Sequence, residues 1–404
     1  MPVLHHQTEL MNNQKAGSVL PAPNDFECFQ NSDNHPILFF IDSALAFQLC
    51  AERFNDENGW FMTDLSADIS ALNSGKTITT KTFDASQDYA TGLISIALVV
   101  SVAGENDDRL YLLTGLSNAP DASWMTNADD RDWLSRPYDG PTHSGTFSIT
   151  NVYMKASMDS HIVCEMQDQT TLAITNFKVA SSGTANWSEI TGADNFTTLL
   201  SQVIGKPASA GHPGLYQITE DASSNLALKF LPMQSSDNPI TFTVPSGATG
   251  IATLGDANGN TDLYVVADGA IYMFPAGTQQ NNATGTKIVD HALISNVRNF
   301  HSHQNDRYTL LWGLNAQNQV FYAQCEKGNE KNPRDWSTPI PIFDNVVRLS
   351  TYFSDTNDHS VVFVHKQDGS LLKYTQDSQT TEWHERSILL PAAKIADHIQ
   401  FNKF

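Results

Sequence analysis

One pattern recurs seven times along this 404-residue chain, and it is clearest at Tyr308–Gln324 followed by Asp335-Trp336. An apolar run turns back on itself through Ala316-Gln317-Asn318, and a loop then leads to a strand opening with Asp-Trp. Residues that favour strands on both sides of a polar turn predict a β-hairpin. Related hairpins are predicted at Ile37–Phe47, Arg109–Leu116, His161–Phe177, Asn225–Leu231, Asp262–Phe274 and Ser360–Tyr374. A further strand precedes each hairpin, as in Leu93–Val102, Val297–His303 and Val346–Phe353, and a fourth follows it. The fourth opens at Trp60, Trp133, Trp187, Trp336 and Trp383, and without Trp at Pro239–Val244 and Thr286–Val289.

Four strands at a period of roughly fifty residues are the signature of a propeller blade. One such sheet cannot bury both faces alone, whereas radial stacking buries each face against a neighbour. The expected fold is all-β: a single seven-bladed β-propeller of four-stranded antiparallel blades over residues 25–404. The degenerate fourth unit leaves six or eight blades open. Residues 1–24 are patternless and read as a poorly ordered arm. The tail Lys394–Phe404 aligns with first strands, so the ring is expected to be closed by the C-terminal strand joining the first blade, with Asp25–Gln30 as the competing first strand.

The formal charge of −21 argues against nucleic acid and anionic membrane surfaces as partners. No apolar run reaches the ~18 residues that span a bilayer. Met1–Leu20 lacks a basic stretch followed by an apolar one, so the expected location is cytoplasmic, or outside the cell without a conventional signal peptide. Cys28, Cys50, Cys164 and Cys325 form no close pair and read as buried free thiols.

Three groups of residues carry chemistry. The repeated tryptophans could offer indole faces to sugars, or plug the gaps between blades. Arg131 and Arg334 lie beside two of them and, with Arg298, complete the candidate ligand set. His301 and His303 share one face of a first strand, and with His291 and Asp290 they could form an acid–base site at the channel. The third group is Asp256, Asn258, Asn260 and Asp262, whose alternating oxygens suit Ca²⁺. This stretch resembles the calcium loop of integrin-type FG-GAP repeats, which implies Ca²⁺ as a cofactor.

The hairpin with its strand-four Trp, as in Asp368–Tyr374 with Glu382-Trp383, resembles the blades of fucose-binding propeller lectins and of tectonin-type propellers. That resemblance implies glycan binding between blades or on the rim. Three readings follow: a non-enzymatic, lectin-like recognition propeller; a protein-interaction scaffold or component of a larger, toxin-like assembly; and a hydrolase or lyase acting through the channel histidines. The partner is a glycan or a protein, and the oligomeric state is open. Multiplicity separates the readings: a lectin repeats its site around the ring, and an enzyme concentrates unlike polar residues at one end of the channel.

Overall fold

A computed structural model describes residues 26–390, apart from 34, 42–44, 53–59, 89–90, 139–146, 155–160, 169–173, 191–197, 235, 256–258, 305–306, 355–358, 367–370 and 377–381. It contains seven four-stranded antiparallel sheets in chain order. Their strands span 26–64, 78–136, 147–189, 198–242, 248–290, 297–343 and 346–390, numbered here as blades 1 to 7. Among the described residues, the first strands of neighbouring blades pack together around the axis at every seam but that of blades 3 and 4, and the first strand of blade 1 meets that of blade 7 to close the ring.

Each seam is an apolar layer. Between blades 5 and 6, Tyr264, Val266 and Met273 face Phe300, Leu311 and Phe321. Between blades 2 and 3, Val99 and Leu112 face Val152, Cys164 and Phe177. Burial on this scale, at ~25 cal/mol per Å² of apolar area, is what holds stacked sheets together. Local turn chemistry agrees with the fold. In blade 5 the strands Thr261–Ala267 and Ala270–Phe274 are joined by Asp268 (φ 42°) and Gly269 (φ 80°). Two consecutive positive φ values make the type I′ turn that suits the twist of a two-residue hairpin.

Two units are shifted by one strand relative to the sequence expectation. In blade 2, Arg109–Leu116 is the third strand, the second is Ile94–Val102, and the first is Ile78–Gln87. That first strand reads Ile-Thr-Thr-Lys-Thr-Phe-Asp-Ala-Ser-Gln, and its polar content conceals it. In blade 4, Leu226–Pro232 is the third strand, preceded by Thr198–Gly205 and Gly214–Glu220. Blade 1 takes all four of its strands from Phe26–Asp64, so Phe26–Gln30 fills the place expected of the C-terminal tail. The tail itself, Lys394–Phe404, lies outside the described residues, as does the arm 1–24. Among the described residues the one α-helix, Ser66–Leu72, lies in the connection from blade 1 to blade 2. Among the described residues no helix is long and apolar enough to cross a membrane.

Candidate functional site

Trp133, Trp187, Trp336 and Trp383, at or just before the start of fourth strands, pack against neighbouring elements. Trp133, Trp187 and Trp336 are 8%, 7% and 8% exposed. Their N–H groups donate to Asp68 Oδ2 at 3.2 Å, to Pro137 O at 2.9 Å and to Glu330 O at 2.8 Å. Trp336 meets Tyr264 of the preceding blade edge to face at 6.2 Å, and Trp383 meets Trp312 of the preceding blade at 5.1 Å. Burial leaves Trp133, Trp187 and Trp336 no open indole face, which corrects the expectation of sugar platforms at these three positions. The Trp60 side chain lies outside the described residues.

Arg131 is likewise structural rather than a ligand fork. Its side chain is 2% exposed, Nη1 donates to Asp68 Oδ2 at 2.8 Å, and Nη2 donates to Met125 O at 3.0 Å. It fastens the loop before the fourth strand of blade 2 to the helix after blade 1. Arg131→Ala strands the Asp68 carboxylate beside Trp133, and the fold is expected to lose roughly 3 kcal/mol, measured by urea denaturation. Arg334 is exposed in a short 3₁₀ turn, Pro333–Asp335. The Arg298 side chain lies outside the described residues.

The expected acid–base site does not assemble. His301 and His303 lie on the first strand of blade 6, Val297–Gln304, and are buried. Asp290 ends the fourth, outermost strand of blade 5, where it pairs with Lys287 at 2.6 Å. His291 follows it and accepts from Leu293 N at 3.2 Å, capping a 3₁₀ turn. The two pairs are thus set at opposite radial ends of their sheets. Burial pushes the His303 imidazole down to about 3, so it is neutral at physiological pH.

Of the Ca²⁺ loop, Asp256 and Asn258 lie outside the described residues. Asp262 Oδ1 accepts from Ala276 N at 2.8 Å, a bond that ties the strand to the following turn. Asn260 stands one residue before the second strand of blade 5, Thr261–Ala267.

The unusual chemistry is elsewhere. Cross-strand rows run radially through the blades, most of them facing the following blade and those of blades 4 and 7 the preceding one. In five blades the row turns apolar at its second strand: Glu27↔Phe39↔Leu49, Asp84↔Ala97↔Leu112, Ala252↔Tyr264↔Met273, His301↔Trp312↔Tyr322 and Thr351↔Val362↔Tyr374. Blade 3 instead reads Asn151↔Glu165↔Asn176, and blade 4 reads Gln202↔Gln217↔Lys229. Directly paired residues share a sheet face, and Gln202 Nε2 reaches across to Glu165 Oε2 at 3.2 Å. The two polar rows therefore face each other across one seam.

Glu165 is fully buried. Thr150 Oγ1 donates to its Oε1 at 3.0 Å, and Tyr153 OH donates to its Oε2 at 3.4 Å. Gln217 Nε2 supports Gln202 Oε1 at 2.7 Å. Burial raises the Glu165 carboxyl to about 7, against the pull of those donors. A second buried carboxyl, Asp84, is also raised to about 7 by burial; it accepts from Met154 N at 2.8 Å and hydrogen-bonds the Glu27 side chain of blade 1. The sequence reading missed this sector. Its one signal was a carboxylate inside an apolar strand, Val163-Cys164-Glu165-Met166.

No family model and no curated protein matches the sequence. Solved structures match it in fold. Two prolyl endopeptidases, studied for the role of inter-domain dynamics in catalysis and specificity, give a TM-score of 0.53 at 10% identity, covering 91% of this chain and 51% of theirs. A post-proline cleaving enzyme from Rickettsia typhi gives 0.52 at 9% identity, over 96% of this chain and 55% of that one. The chain therefore spans about half the length of these proteins. A lectin from Aleuria aurantia covers 91% and 96% at 10% identity, with a TM-score of 0.40 that carries no argument. At such identities the likeness is one of fold alone.

Proposed function

We propose that the chain is a recognition propeller that holds one ligand without transforming it, rather than a multivalent ring with a site in every blade. The observation that supports this is the unequal distribution of polar chemistry. The feature that repeats, the strand-four Trp, is taken up by packing between blades. The buried polar rows do not repeat; they face each other across the seam of blades 3 and 4. A single polar seam departs from the repeated sites of a multivalent lectin. Its rows run outward into the second and third strands rather than gathering at the channel mouth, where an enzyme site was expected. The reading favoured is therefore single-site recognition, with a glycan as the ligand class. Amide and carboxyl side chains supply the donors and acceptors that sugar hydroxyls use, and a chain of charge −21 does not attract phosphate-rich polymers.

The test is a glycan-array screen of the whole protein, followed by calorimetric titration with the strongest hit. One equivalent per chain, with little dependence on salt, is the expected outcome. Several equivalents per chain would restore the repeated-site reading. An array without hits, together with salt-sensitive binding to a basic protein, would favour the interaction-scaffold reading.

A further inference from the structure

The seam between blades 3 and 4 is held less firmly by apolar contact than its neighbours. Its buried apolar cluster among the described residues consists of Tyr153, Val163, Ile190, Ile204, Leu215, Leu231 and Met233. The seam between blades 4 and 5 holds a larger set with four phenylalanine and tyrosine rings, Tyr216, Phe230, Phe242 and Phe274. Cohesion scales with apolar area, so among the described residues apolar contact contributes less here than between blades 4 and 5. The residues that replace apolar contact there are Asn151, Glu165 and Asn176 on one side and Gln202, Gln217 and Lys229 on the other.

Within that set the two sides of the network differ. Glu165 is saturated by Thr150, Tyr153 and Gln202, and Gln202 is held by Gln217. Asn176 is 0% exposed, and neither its side-chain nitrogen nor its side-chain oxygen has a hydrogen-bond partner. Its register partner Glu165 fixes the face on which it projects, and that face is the seam. Leaving both groups of a buried amide unsatisfied is unfavourable. An apolar side chain of the same size would be the stable choice there, as Leu49, Leu112 and Met273 are in the equivalent rows.

We infer that Asn176 is the contact residue of a binding site in the seam between blades 3 and 4, and that the site takes a neutral, hydroxyl-rich ligand of the sugar or polyol class. The class follows from the donor set. A cation would satisfy only the Asn176 oxygen, and an anion only its nitrogen. A carboxamide presents its donor and acceptor side by side, and adjacent ring hydroxyls, each able to give and accept, match both. Gln217 and Lys229 are register partners on the blade 4 face that meets Glu165 through Gln202, while Glu165, already hydrogen-bonded at both oxygens, serves as a positioning residue. This inference rests on the single-site recognition reading and gives that reading a location.

The test compares the wild-type protein with Asn176→Leu, each alone and with a panel of methyl glycosides and myo-inositol, by thermal unfolding and by calorimetry. The free Asn176→Leu protein is expected to melt several degrees above wild type, because an unsatisfied amide has been removed. It is also expected to bind the panel's best member at least tenfold more weakly, and to lose the ligand-induced rise in Tm. Asn176→Ala, which adds no volume, should show the same loss of binding at a Tm no lower than wild type. If both variants melt below wild type, Asn176 is a structural residue and the inference fails. If both bind as wild type with one equivalent per chain, recognition stands and the seam is the wrong place. A wild-type protein that no member of the panel shifts overturns the ligand class.

Discussion

Trp336→Ala is expected to lower the stability of the fold by about 3–5 kcal/mol, the range for removing a buried indole from a close-packed interior. Trp336 joins the layer between blades 5 and 6 and meets Tyr264 across the seam. Its N–H fixes the loop before the fourth strand through Glu330 O. The loss therefore combines a cavity between two sheets with an unpaired carbonyl. Trp336→Phe keeps most of the volume and loses the hydrogen bond, so about 1 kcal/mol is expected for it. Urea unfolding should show the midpoint moving with the slope unchanged, and glycan binding per folded molecule should be unaltered. A Trp336→Ala protein as stable as wild type but unable to bind would return this ring to the role of ligand platform.

The second large effect is a stability that rises on mild acidification. Asp84 and Glu165 both titrate near 7 in the fold, because burial disfavours their charged forms. Unfolded, they titrate at their ordinary 3.8 and 4.5. A carboxyl with a raised folded value contributes stability that is fully present below its unfolded value and is lost as pH rises through about 7. His303 acts in the opposite sense. Its folded value, about 3, lies below the ordinary 6.5, so its contribution is present above 6.5 and is lost as pH falls.

At pH ~5 the two carboxyls together outweigh the imidazole, leaving a net gain of roughly 3 kcal/mol relative to pH ~8. For a fold of this size that is a rise in Tm of roughly 4 °C. Differential scanning calorimetry across pH checks the sign. The double variant Asp84→Asn with Glu165→Gln should reverse it, because the lowered imidazoles of His303 and His161 then remain, and that protein should melt lower at pH ~5 than at pH ~8. A wild-type Tm that falls steadily from pH 8 to pH 5 would contradict the assignment of these carboxyls.

The fold was legible because its repeat is written in residues that strands and turns require. Tyr308–Gln324 has the apolar content of a buried hairpin around an amide turn, and a strand-four Trp like Trp336 recurs in five of the seven units. Legibility failed at Ile78–Gln87 and Thr198–Gly205 for one reason. Both are innermost strands, with buried polar side chains such as Thr82, Asp84 and Gln202 in place of the apolar alternation of an exposed sheet. The same feature hid the candidate site. Glu165 stands out within its own strand, but Asn176, Gln202 and Gln217 read as ordinary strand or turn residues. They become a site only when register aligns them across two blades. Pattern alone placed His301 and His303 correctly on one face of a first strand. Reading Thr286–Val289 as a fourth strand already set Asp290 and His291 at the end of an outer strand, and the topology confirms that this lies across the width of a sheet from the first strands.

Recognition is proposed for the seam of blades 3 and 4, where polar rows meet from both sides. Amide hydrogen exchange of the whole protein, with and without a glycan identified on the array, addresses this claim most directly. Protection on binding is expected within Phe147–Ala180 and Thr198–Pro232, the inner strands of blades 3 and 4, with blades 5 to 7 unchanged. Protection repeated across all the blades, or confined to the rim loops before Trp133, Trp187 and Trp336, would contradict it.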